Sequence, residues 1–244
     1  MRFYIALPLG FVLLGISCSR KAAPTPTLKP TGVGAAIVES SGGKQLAQTG
    51  APLLQPVVVQ VNDERGSAVE RALVEFSAAP GVILDPPSAL TDSSGQATTN
   101  VSLGGMAGRY QITASTFDKS RKKVELKLEE IALGYQQTLG RHLNDQYCDR
   151  CHNSESTAQR VSNYDNLEVK PHPFSEGETL NKMTDADLTA IITNGGPALQ
   201  KSALMPAWGN TLGKSDIQAL IAYIRAVSDP APRDAGPLYS PTPH

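Results

Sequence analysis

Cys148-Asp149-Arg150-Cys151-His152 is the stretch on which the reading of this chain turns. Two thiols three residues apart lie one helical turn from each other, and a histidine comes directly after the second. That is the pattern by which c-type haem is attached covalently. Each thiol can add to a vinyl group on the porphyrin edge, and the adjoining imidazole is carried beneath the macrocycle, where a ring nitrogen can ligate iron. The other readings of such a pair are a reducible surface dithiol and half of a zinc site. A zinc site takes four ligands, usually from two clustered pairs, and the only other cysteine, Cys18, lies in a different kind of segment. One covalent haem c, held by Cys148, Cys151 and His152, is the expected cofactor.

The sequence around the motif has helical periodicity. Leu133, Gln137, Leu139, His142, Leu143 and Tyr147 form a first helix leading into Cys148. His142 on that helix is read as a surface or partly buried side chain rather than a ligand. Thr184 can cap a helix holding Leu188, Ile191 and Ile192, with Asp187 at its third position, and Asn194-Gly195-Gly196-Pro197 stops it. Ser215 and Gln218 suggest a capping box for a last helix with Ile217, Leu220, Ile221, Ile224 and Val227 at three- and four-residue intervals, closed by Asp229-Pro230. Between these helices lies Leu204-Met205-Pro206-Ala207-Trp208. A thioether is a soft ligand suited to haem iron, and Met205 comes 53 residues after His152. Met1, Met106 and Met183 sit in less suitable places, so Met205 is the expected sixth ligand, against a plain packing role. Trp208, Leu204, Ile221 and Tyr223 are candidate pocket residues.

A chain of 244 residues suits two small domains. Its net charge of -1 gives no electrostatic reason to expect nucleic acid or an anionic membrane surface as a partner. At the amino terminus, Arg2 precedes an apolar run from Phe3 to Ile16, too short for a comfortable membrane-spanning helix and suited to an export signal. Beyond Cys18, Pro24, Pro26 and Pro30 interrupt a polar stretch that reads as an extended tether.

Between about Gly32 and Glu130 the pattern has period two. Val57, Val59 and Val61 share one side, as do Val74 and Phe76, then Ala97, Thr99, Val101 and Leu103. Tyr110, Ile112 and Ala114 come next, and Val124, Leu126 and Leu128 alternate with Lys123, Glu125 and Lys127. Turn clusters such as Asn62-Asp63-Glu64-Arg65-Gly66 and Asp92-Ser93-Ser94-Gly95 separate the runs, which argues for an antiparallel sandwich. Asp63, Asp85 and Asp92 are read as turn residues bonding their own backbone, with calcium binding the less favoured use.

Three resemblances add to these patterns. Leu14-Gly15-Ile16-Ser17-Cys18 resembles the bacterial lipoprotein signal, with Gly15 where that family more often has Leu. This implies lipidation of Cys18, and Ser19 after it implies the outer membrane rather than inner-membrane retention. The phrases Val57-Val58-Val59-Gln60-Val61-Asn62-Asp63, Ala72-Leu73-Val74-Glu75-Phe76-Ser77, Leu90-Thr91-Asp92-Ser93-Ser94-Gly95-Gln96-Ala97-Thr98 and Ala107-Gly108-Arg109-Tyr110-Gln111-Ile112-Thr113-Ala114 resemble the bacterial Ig-like domains of invasin-type adhesins. Residues from about Ala132 to Val227 resemble a class I cytochrome c domain. In that family a proline carbonyl often accepts a hydrogen bond from the ligating histidine, which makes Pro171 and Pro173 the nearest candidates. His172 between them is the alternative axial ligand to Met205. The expected fold is thus an all-β Ig-like sandwich followed by an all-α cytochrome c domain. Its expected parts are a signal peptide over 1–17, a tether over 18–31, the sandwich over 32–130, the haem domain over 131–229 and a flexible Pro-rich tail over 230–244. The expected function is electron transfer between redox protein partners at the cell envelope, with no catalysis of its own. The alternatives are an electron-entry subunit of a larger envelope oxidoreductase and a surface interaction or adhesion protein whose Ig-like domain is the main functional part.

Overall fold

The structure is a computed structural model that describes residues 29–157, 161–233 and 237–241. The expected signal peptide, Cys18, the tether through residue 28 and His244 lie outside the described residues.

The alternating runs form a two-layer β-sandwich. One sheet has the order β1-β3-β7-β5, from Ala36–Ser41, Val57–Asn62, Gln96–Ser102 and Ile83–Asp85. The other has the order β2-β9-β8-β4-β6, from Leu46–Gln48, Lys123–Leu133, Gly108–Phe117, Leu73–Ala78 and Ser88–Leu90. Val57, Val59, Val61, Val74, Ile112 and Ala114 are wholly buried between the layers. Each fully buried valine or isoleucine contributes roughly 1.5–3 kcal/mol, so a one-residue slip that turned one such row outward would be prohibitive. The turn aspartates act on their own backbone. Asp63 Oδ1 accepts from the Arg65 and Ser67 amides, and Asp92 Oδ1 from those of Ser94 and Gln96. Among the described residues no group of three or more His, Cys, Asp or Glu is placed to hold a metal ion.

Strand β9 explains how the second domain is joined. Its first half alternates exposed and partly buried residues, whereas Glu130 to Leu133 are all buried. Helices cover the second face of the strand there. Only Gly134 separates it from α1 (Tyr135–Leu143), which runs through a π-helical turn (Asn144–Cys148) into α2 (Asp149–His152). The remaining helices are α3 (Gly177–Leu180), α4 (Asp185–Asn194) and α5 (Lys214–Val227). Thr184 caps α4 as the sequence suggests: its hydroxyl accepts from the Asp187 amide, and Asp187 accepts from the Thr184 amide. The box expected from Ser215 and Gln218 does not form. Helix α5 starts at Lys214, and the Asp216 carboxylate accepts from the Gly213 amide, which leaves Ser215 inside the first turn.

The domains share a small core of Ile131, Leu133, Tyr223 and Ala226, with Phe174 against it. Two basic side chains of the sandwich reach the end of α5. Lys44 pairs with Asp229 at 2.9 Å, and buried Arg109 donates to the carbonyls of Ala226 and Ser228 at 2.9 and 2.6 Å. The segment expected to be a flexible tail returns to the sandwich: Leu238–Tyr239 form β10, parallel to Arg109 and Tyr110 of β8. The Tyr239 ring stacks on Tyr110 with centroids 4.7 Å apart.

Candidate haem site

The π-helical turn carries a backbone bond from the Asp149 amide to the Asn144 carbonyl and turns Cys148 into the domain, where it is 8% exposed. Such turns recur at functional sites because the extra residue re-aims the side chains beyond it. One helical turn on, Cys151 and His152 face the same space. The His152 Nδ1–H donates to the backbone carbonyl of His172 at 2.8 Å, leaving Nε2 with the lone pair a metal needs. The acceptor is therefore neither Pro171 nor Pro173 but the residue between them. Phe174 packs against the His152 ring at a tilt, with centroids 4.7 Å apart.

The loop bearing Met205 lines the same space. It is clamped to the end of α4 by the pair of glycines that stop the helix. Gly195 takes φ +81°, a conformation that side chains other than glycine rarely adopt. The Gly196 amide donates to the Met205 carbonyl, and the Trp208 and Gly209 amides donate to the carbonyls of Ile192 and Thr193. Trp208 packs on Tyr147 with ring centroids 5.1 Å apart.

A cavity of about 530 Å³ lies between these walls. Cys148, Cys151, His152, Met205 and Trp208 all line it, so the expected site residues meet at one place. Leu204 lines it too, but Ile221 and Tyr223 do not; their places are taken by Leu220 and Ile224, one helix face away. Tyr223 instead packs against the sandwich, a demand invisible in a helix read by itself. Met183, set aside in the sequence as less suitably placed, is a further lining residue, as are Phe174 and Leu188. His172 reaches the cavity but holds the Glu176 carboxylate through Nδ1 at 2.9 Å. His142 is exposed and takes no part.

Burial sets the protonation of the site. It pushes the Cys148 thiol up to about 12, helped by Asp149 and Cys151, so this sulfur stays protonated. A reducible dithiol or a thiolate metal ligand needs the opposite shift. Burial also holds His152 below its ordinary value, partly offset by the bond to the His172 carbonyl, which keeps the ring neutral as a ligand must be. Two thiols a turn apart, an imidazole and a thioether on one apolar cavity of this size suit a haem joined by thioether bonds.

Residues 136–224 match the family model for cytochrome c oxidase, cbb3-type, subunit III. The helical domain is a cytochrome c domain and carries covalently bound haem c, which makes this an electron-transfer haem protein. No curated protein matches the chain. Among solved structures, the sandwich is similar to the D00-D0 domain of intimin, at 17% identity and TM-score 0.32, over 44% of this chain and 50% of that one. It is also similar to the bacterial integrin-binding protein invasin, at 16% identity and TM-score 0.31, over 40% of this chain and 19% of that one. The chain thus spans half or less of the length of these structures.

Proposed function

We propose that this protein is a monohaem electron carrier held at the bacterial envelope by a lipid on Cys18, with His152 and Met205 as axial ligands. The observation that carries the reading is one apolar cavity lined by both thiols, His152 and Met205. Haem c bound there supplies one-electron redox chemistry at iron. Cys148 and Cys151 would hold its edge through thioether bonds, and His152 would offer Nε2 while its Nδ1–H stays on the His172 carbonyl. The soft Met205 sulfur would favour the reduced metal and raise the potential. His152 and Met205, as a pair of ligands, would leave no coordination position for a substrate. Leu188, Ile192, Leu220 and Ile224 exclude water from the site. The Cys18 lipid and the proline-rich residues after it would keep the domain on the outer membrane within reach of redox protein partners.

The test is the spectrum of the purified protein. A low-spin c-type spectrum with a methionine–iron charge-transfer band in the oxidised form supports the carrier; high-spin iron that binds carbon monoxide readily refutes it. Met205→Ala should lower the potential and open the sixth position to carbon monoxide, and unchanged ligation would exclude Met205. The name of the matched family favours one second reading, an electron-entry subunit of a larger envelope oxidoreductase. Copurification with a partner holding its own redox centre separates the two.

A further inference from the structure

The proximal ligand and the β-sandwich are joined by a continuous set of contacts. His152 depends on residues 172–177, which supply the accepting carbonyl of His172 and the ring of Phe174 packed against it. That segment has little regular structure of its own and is laced to the end of α5. The Asp229 amide donates to the Ser175 carbonyl at 2.9 Å, and the Gly177 amide to the Asp229 carbonyl at 3.0 Å. The Ser228 hydroxyl donates to Ile224 and lies 3.3 Å from the Phe174 carbonyl. Phe174 packs both on the haem-side core and on the core shared with Ile131 and Leu133 of the sandwich.

The end of α5 is in turn fixed by the sandwich. Arg109, 5% exposed in β8, forms an ion pair with Glu129 through Nη1 and spends Nη2 on the carbonyls of Ala226 and Ser228, while its Nε is buried without a hydrogen-bond partner. One of those carbonyls, Ala226, belongs to the last turn of α5 and the other, Ser228, to the residue that caps it; there unsatisfied acceptors and the negative end of the dipole favour a cation. The planar fork can meet the carboxylate and both carbonyls at once; a lysine ammonium cannot hold the same geometry. Burying an arginine at a domain junction is costly, so its three specific contacts ask for a reason.

We propose that Arg109 is a positioning residue for the haem: acting through Ser228 and the 172–177 segment, it fixes the hydrogen bond that orients His152. The sandwich is then part of what holds the haem site in place. The inference rests on His152 being the proximal ligand.

The test uses the full-length holoprotein and Arg109→Lys, which keeps the charge and breaks the fork. The first readout is exchange of the His152 ring N–H with deuterium, monitored by proton NMR in the reduced state; the second is the midpoint potential. Arg109→Lys should speed exchange about tenfold and move the potential upward, because a weaker Nδ1–H bond makes His152 a poorer donor to the oxidised metal. Val74→Ala, buried in the sandwich far along β4, serves as a control for destabilisation and should leave both readouts alone. Unchanged exchange and potential in Arg109→Lys overturn the proposal, as does an equal change in Val74→Ala. If Arg109→Lys fails to fold, Glu129→Gln loosens the same guanidinium while leaving the arginine in place. It should speed exchange two- to threefold, and no change again overturns the idea. Wild-type protein whose mass shows no covalent haem would instead refute the reading of the site itself.

Discussion

Gly140 offers a test in which the sign of the answer decides. It lies buried in the middle of α1, where glycine is a poor choice: alanine would gain roughly 1 kcal/mol in helix propensity. Its place is explained by the crossing of α1 with α5. A Cβ at residue 140 would stand 2.6 Å from the Ala219 carbonyl carbon and 2.7 Å from the Tyr223 Cβ, and closer still to the Ala219 oxygen. Main-chain atoms cannot rotate away, so Gly140→Ala must part the helices by roughly 1 Å, an overpacking cost near the top of the usual range, about 3 kcal/mol. Against the propensity gain, the net loss is about 2 kcal/mol, or roughly 8–16 °C in the midpoint of a domain of this size. The assay is thermal melting of the holoprotein, monitored by helical circular dichroism and haem absorbance. His142→Ala, on the exposed face of the same helix, is the reference and should stay within about 0.5 kcal/mol of wild type. A Gly140→Ala midpoint equal to or above wild type would show that the helices do not approach as described.

Other parts of the molecule yield further expected outcomes. Glu130 is fully buried, one of its oxygens has no partner, and burial pushes its carboxyl up to about 8. Its folded state therefore holds a proton that the unfolded chain has already lost above the ordinary carboxylate range. Stability should fall as pH rises from about 4.5 to about 8, at up to about 1.4 kcal/mol per unit, and level off beyond. Glu130→Gln should remove this slope in denaturant titrations at pH 5, 7 and 9; parallel curves would show that Glu130 ionises freely. Tyr239→Ala removes the ring stacked on Tyr110 and should lower the sandwich's stability by about 1–2 kcal/mol, measured by melting; no change would mean that β10 contributes nothing. Gly196→Ala would force a Cβ into the Ser202 carbonyl and displace the Met205 loop, so the methionine–iron band should weaken even where covalent haem is retained.

The sandwich was legible where alternation is long, as in Val57 to Val61 and Ala97 to Leu103, because burial on one face leaves a period-two record. The three-residue strands β2, β5 and β6 leave no such record, and β10 sits in a proline-rich tail that reads as linker. The haem site was legible where chemistry demands a side chain: Cys148, Cys151, His152 and Met205 all reach the cavity. The His172 carbonyl was not, since every residue has one and only the fold selects which is used. Arg109 escaped notice for a related reason. An arginine in a strand reads as solvent-facing until helices are seen to cover that face.

The return of the chain to β8 has a consequence for assembly. The helical domain leaves the sandwich at Gly134 and comes back at Leu238, so it is an excursion of about a hundred residues with both ends moored on neighbouring strands. Closing a loop of that length from a free chain costs, in its logarithmic part, about 4 kcal/mol. Once the sandwich has formed and captured β10, that cost is already met. The helices are thereby spared it while they gather around the motif that takes up the haem.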